Sequence, residues 1–223
     1  MFKSNVLKRI SVLFLVTIML AFASVSNIFA FALMRDDYIL LEAYSYYQDG
    51  DGYGHSWITI TNNTYYSYDL GHYYLVAGEV ITISIWGNIP EHMGIWYNVE
   101  SYAIDELDYY DGRVSVSKII SEDDLEEISS YLLSHNFWNI SYNCSCFTKD
   151  IWNLVCDDPD DELFCGWILN LPAFLCDSIK SKSTYYVNGY IRPSLMIGYD
   201  YNETFYGIIP DLTGSSSFSS GGS

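Results

Sequence analysis

The chain has 223 residues, with 28 acidic residues against 10 Lys and Arg, a formal net charge of −18. That balance excludes charge-driven binding to nucleic acid or to an anionic membrane surface, since either needs a basic face. Half of the residues are hydrophobic and 22 are tyrosines, enough to fill the core of one domain.

Lys3, Lys8 and Arg9 precede an apolar run from Ile10 to Phe22, and a small-x-small pattern follows at Ala30-Phe31-Ala32. This is the layout of a secretory signal peptide over residues 1–32, cut after Ala32; the alternative is an uncleaved N-terminal anchor. The rest of the chain is therefore expected outside the cytoplasm, secreted, with no stable membrane insertion once the signal is gone. Cleavage leaves 7 basic residues against 28 acids, a net charge of −21. Residues 33–212 are expected to form a single domain, and 213–223, rich in Gly and Ser, a disordered tail.

The leading segment, 33–54, ends in the glycine-rich turn Asp49-Gly50-Asp51-Gly52-Tyr53-Gly54. It is not a calcium loop, because Tyr53 and Ile60 stand where oxygen ligands are required. His55 to Thr61 alternates as a strand, and Asn62-Asn63 predicts a hairpin into Tyr65–Leu70. Further strands are expected at Val80–Trp86, Gly94–Ala103 and Arg113–Ile120, joined by turns at Ala77-Gly78 and Gly87–Pro90, as an antiparallel meander. Many tyrosines fall in these segments, where Tyr packs well in a sheet and, second, could stack on sugars.

The apolar period then changes from two to 3.6. Ser121 followed by Asp124 is a capping-box start for a helix over Glu122–Ser134, with Leu125, Ile128, Leu132 and Leu133 as its stripe. A second helix is expected from about Asn143 to Cys156, and a third from Pro172 to about Lys180. The acidic run Asp157–Glu162 reads as a solvated loop.

Five cysteines, Cys144, Cys146, Cys156, Cys165 and Cys176, lie close together in sequence. No Cys-x-x-Cys occurs and no histidine lies among them, so neither a zinc site nor any other metal or cofactor is expected. Four could form two disulfides, leaving one thiol free; the spacing leaves open which one. Cys144 stands in the first turn of its helix, where the positive end of the helix dipole favours a thiolate, and His55 opens a strand that can present an imidazole. Those are the parts of a cysteine nucleophile and its base. The Cys144 backbone N–H is a candidate oxyanion donor, with Asn143 as a second.

Gly54-His55-Ser56-Trp57-Ile58, followed by Tyr142-Asn143-Cys144-Ser145-Cys146-Phe147, resembles the permuted papain-like cysteine hydrolases and acyltransferases. That superfamily includes bacterial cell-wall cysteine peptidases and relatives of lecithin-retinol acyltransferase, and in it the histidine strand precedes the cysteine helix. The resemblance spans about residues 50–180. It implies an α+β fold, an antiparallel sheet packed on the nucleophile-bearing helix, and chemistry at an amide or ester through an acyl-cysteine.

A third residue should orient the histidine. Glu100 is the preferred candidate, placed by alternation on one face of a Trp96–Glu100 strand with Trp96 and Asn98. The expected activity is that of a secreted cysteine hydrolase acting on a peptide or cell-wall amide. The alternative is an inactive exported module binding glycan or peptide in an aromatic groove drawn from Trp57, Trp86, Trp96 and Tyr97. Trp57 and Trp96 are the substrate-binding candidates in either case. Asn-x-Ser/Thr sites occur at Asn62, Asn139, Asn143 and Asn202, and a glycan on Asn143 would obstruct the proposed site. The residues do not define an oligomeric state.

Overall fold

Alternation in Gly54–Asn62 sets up a strand that is apolar on both faces. Ile58 and Ile60 point one way and His55 and Trp57 the other, and all four are buried. Such a strand must be covered on both sides, which places it inside a sheet rather than at an edge. In the computed structural model, which describes residues 37–48, 54–86, 94–167, 169–192, 197–201 and 204–208, this segment lies at the middle of an eight-stranded sheet. The signal segment, the 49–53 part of the glycine-rich turn, the Gly87–Pro90 turn and the Gly/Ser tail lie outside the described residues.

The strands in chain order are β1 (Ile39–Tyr47), β2 (Gly54–Asn62), β3 (Tyr68–Leu70), β4 (Tyr73–Leu75), β5 (Val80–Trp86), β6 (Gly94–Tyr97), β7 (Val114–Ile120), β8 (Tyr186–Val187), β9 (Ile197–Tyr201) and β10 (Thr204–Ile208). The main sheet runs β10-β9-β6-β5-β2-β1-β7-β8, antiparallel at every step, and β3 and β4 pair separately. The helices are α1 (Val99–Leu107), α2 (Glu122–Ser134), α3 (Cys144–Leu154) and α4 (Pro172–Lys180). The fold is therefore α+β with an antiparallel sheet, and the described residues from Tyr38 onward belong to one compact unit.

Phe147 and Ile151 of α3, Leu175 and Ile179 of α4, and Leu125, Ile128 and Leu132 of α2 join Ile58, Ile60, Ile81 and Ile83 in one core. Each side chain of this size, fully withdrawn from water, contributes about 2 kcal/mol. The opposite face carries a smaller aromatic cluster of Tyr44, Trp57 and Ile191, with Tyr46, Ile104 and Tyr110 packed against it. Close approach decides one backbone position. A Cβ on Gly54 would lie 2.5 Å from the Tyr46 carbonyl oxygen and 2.7 Å from Pro172 Cβ, so only glycine lets α4 begin against the start of β2.

Three sequence expectations are corrected. Asn62-Asn63 does not form a hairpin into β3, because β2 pairs with β1 and β5. The buried Asn62 amide instead donates to the Tyr66 and Val76 carbonyls and accepts from Thr64, turning the chain out of the sheet. The expected Gly94–Ala103 strand stops at Tyr97, where Asn98 adopts a left-handed conformation (φ 63°) and caps α1. Asn tolerates that geometry far better than a branched residue does. The sheet is also not a simple meander, since β7 returns to pair with β1 and β9 to pair with β6.

Candidate active site

Asn143 begins the site. Its extended backbone and side-chain oxygen cap α3, accepting from the Ser145 and Cys146 N–H groups, while its carbonyl accepts from Phe147. Those bonds account for the second to fourth helical amides and leave the first, on Cys144, unclaimed by the cap. The Asn143 side-chain nitrogen donates to the Asn170 carbonyl at 2.6 Å. Its amide oxygen thus serves the cap and one of its two N–H bonds goes to Asn170, so Asn143 holds the start of the helix that carries Cys144.

Cys144 is buried, with 8% of its surface exposed, and His55 with 7%. The thiol is hydrogen-bonded to the His55 ring, to the Ser56 backbone and to the Ser145 side chain. His55 Nε2 meets Glu100 Oε1 at 2.8 Å, which leaves Nδ1 as the nitrogen for the thiol. Glu100 is completely buried, and a carboxylate in that position needs compensation for its lost hydration. It has three partners: Oε1 accepts also from Trp86 Nε1 at 3.1 Å, and Oε2 from Thr82 Oγ1 at 2.9 Å.

Glu100 arrives there by a route the sequence reading did not include. It sits in the first turn of α1, directly after the left-handed Asn98, and not on the strand where alternation had placed it. The helix start turns the carboxylate toward His55 on β2 and toward Thr82 and Trp86 on β5.

Electrostatics favour an ion pair. Burial pushes the Cys144 thiol up, but the neighbouring His55 charge and hydrogen bond outweigh it, and the net shift is downward from the usual 9.0. Burial likewise depresses the His55 imidazolium; the Cys144 sulfur and the Glu100 carboxylate reverse that and raise the ring to about 9. Both shifts stabilise thiolate beside imidazolium, the form in which cysteine is nucleophilic.

Aromatic rings hold the imidazole in place. Trp86 lies over it with centroids 4.2 Å apart, and Trp57 and Tyr110 pack at 5.8 Å. Trp57 is fully buried and stacks on Tyr44, so it walls the histidine and does not line an open groove as expected. Trp96 belongs to another cluster, with Val99 and Ile197, and stacks on Tyr199; Tyr97 is fully buried against Tyr73. The aromatic groove expected of a binding module thus loses three of its four members to the interior, and the fourth, Trp86, serves Glu100.

Sequence reasoning missed Ser56, Thr82 and Tyr110, and it placed Trp86 only in a groove, not on Glu100. A signal existed for two of them, because Thr82 and Trp86 share the parity on β5 that Ile81, Ile83 and Ile85 leave polar. Tyr110 is a loop residue that itself adopts φ 63°, and it had no local signal. All five cysteines carry free thiols in the structure: Cys156 accepts from Lys118 Nζ, and Cys176 contacts Ser45. Of the glycosylation candidates, Asn62 is buried with its amide bonded, and the Asn143 nitrogen is bonded to Asn170.

Among the described residues no group of three or more His, Cys, Asp or Glu is arranged to hold a metal ion, and no helix is long and apolar enough to cross a membrane. No protein-family model, no curated protein and no solved structure matches this chain.

Proposed function

We propose that the chain is an exported cysteine hydrolase of the permuted papain-like kind, acting on a peptide or cell-wall amide through an acyl-cysteine intermediate. The observation that carries this reading is the continuous line from the Cys144 thiol through the His55 ring to the fully buried Glu100 carboxylate. A merely structural cysteine on an apolar helix face needs neither an imidazole nor a buried carboxylate behind that imidazole.

The Cys144 thiolate attacks the substrate carbonyl carbon, and the oxyanion that forms is held by the Cys144 N–H at the α3 N-terminus. The His55 imidazolium gives its proton to the leaving amine, the C–N bond breaks, and a thioester remains. His55, now neutral, takes a proton from water, whose oxygen attacks the thioester carbonyl. Collapse of that second tetrahedral species releases the acid and restores thiolate and imidazolium. Glu100 keeps the ring oriented through Nε2 and stabilises its positive charge. Export and the resemblance in the histidine and cysteine segments support the peptide or cell-wall substrate class.

The folded protein treated with iodoacetamide at neutral pH should be alkylated first at Cys144, faster than a free model thiol. Mapping the adduct by mass spectrometry reads the result. A Cys144 that resists labelling until the protein is denatured, or that reacts equally fast in His55→Ala, removes the nucleophile–base pair.

A further inference from the structure

Two cysteines that the proposed chemistry does not use lie side by side at the base of the nucleophile helix. Cys146, in the first turn of α3, and Cys165, in the loop before α4, are both buried free thiols that influence one another's ionisation. Each sulfur is bonded to one member of a hydrogen-bonded pair, Ser141 and Asn170. The Cys146 thiol donates to the Ser141 carbonyl at 3.5 Å, and the Cys165 thiol donates to Asn170 Oδ1 at 3.3 Å. The Asn170 side-chain nitrogen closes the ring by donating to the Ser141 carbonyl at 2.9 Å. Asn170 in turn offers its own carbonyl to Asn143, the cap of the helix that presents Cys144.

We infer that Cys146 and Cys165 form a disulfide in the exported protein, one that fastens the 165–171 loop to the N-terminus of the nucleophile helix. Of the other three cysteines, Cys144 faces His55, Cys156 faces Lys118 and Cys176 faces Ser45, so none competes for this partner. The reaction needs an acceptor of two electrons, here a small-molecule disulfide. A Cys146 thiolate attacks one of its sulfurs and expels a thiolate; Cys165 then attacks the mixed disulfide at Cys146 and expels the second thiolate. Two protein thiols are oxidised and one small disulfide is reduced to two thiols. The Cys165 side chain and the Asn143 backbone lower the Cys146 thiol pKa against its burial, which favours the thiolate that the first attack needs.

The bond does not depend on Cys144 being catalytic, and it can be tested without any activity. The full chain, folded, is incubated in a buffer of oxidised and reduced glutathione, and a second sample is refolded from denaturant in the same buffer. Peptide mapping without reduction should find Cys146 joined to Cys165, with Cys144, Cys156 and Cys176 still open to alkylation after denaturation. The oxidised protein should melt roughly 5–10 °C above the reduced protein. That difference should vanish in Cys146→Ser and in Cys165→Ser. Separate alkylation of Cys146 and Cys165 in both samples, or a bond from either to a different cysteine, overturns the inference. Iodoacetamide labelling of Cys144, read in the same digests, reports separately on the proposed function.

Discussion

Glu100 is an ionisable group held wholly inside the protein, and its partners explain how it is tolerated: an imidazole, an indole N–H and a threonine hydroxyl take up both oxygens. Removing one member of such a buried pair costs about 3–5 kcal/mol, so truncation to Ala would confuse function with folding. Glu100→Gln keeps the shape and removes the charge. The Glu100 carboxylate is among the groups that raise His55 to about 9, so its loss lowers the ring's pKa. The proposed hydrolysis needs the imidazolium to protonate the leaving group, so under that proposal the wild-type rate should fall as pH rises through about 9. In Glu100→Gln that alkaline limb should move to lower pH, read as a pH–rate profile. Alkylation of Cys144 needs only the thiolate and should not fall at high pH. An unchanged alkaline limb would show that Glu100 does not set the charge on His55.

At the scale of the element, the start of α3 does two things at once. Asn143 caps the helix and leaves the Cys144 amide unclaimed, so one residue supplies both stability and the geometry of the proposed nucleophile. Asn143→Ala should cost about 1 kcal/mol, a fall of about 2–4 °C in Tm, and should slow alkylation of Cys144 as the first turn frays. Asn143→Ser, which retains a capping oxygen, should recover most of the Tm. Both α2 and α4 begin at the residues their sequence signals mark, Ser121 with Asp124 and Pro172, because capping chemistry acts within one turn. The α1 helix gave no such signal. It follows a left-handed Asn98 with no side-chain cap bond, and its residues alternate well enough to pass for a strand.

At the scale of the whole molecule, the site exists because α4 packs tightly against the start of β2. Ser45 and Ser56 share a hydrogen bond across β1 and β2, and Ser45 also donates to the Pro172 carbonyl, 127 positions away along the chain. Gly54 makes that approach possible. Gly54→Ala should destabilise the fold by about 1–3 kcal/mol, since the Tyr46 backbone and Pro172 must both give way. It should also slow Cys144 alkylation, because His55 is the next residue. Denaturant unfolding measures the first effect, and unchanged stability would mean that the two segments can separate at no cost.

Much of the local structure around His55 and Cys144 is legible from the sequence alone. A histidine at the head of an alternating strand, a cysteine one residue after an Asn cap, and helix starts at Ser121 and Pro172 are properties of short segments, and the folded chain keeps each of them. Glu100 meets His55, but not from the element that alternation predicts. Alternation put it on a strand, whereas a left-handed turn at Asn98 carries it to His55 on a helix. Tertiary structure alone decided the burial of Trp57 and Trp96, the commitment of the Asn143 amide to Asn170, and the meeting of Cys146 with Cys165. Each of those depends on which distant segments the sheet and its covering helices bring together. Short-range periodicity reports which face of an element is apolar, and it is silent about what that face will meet.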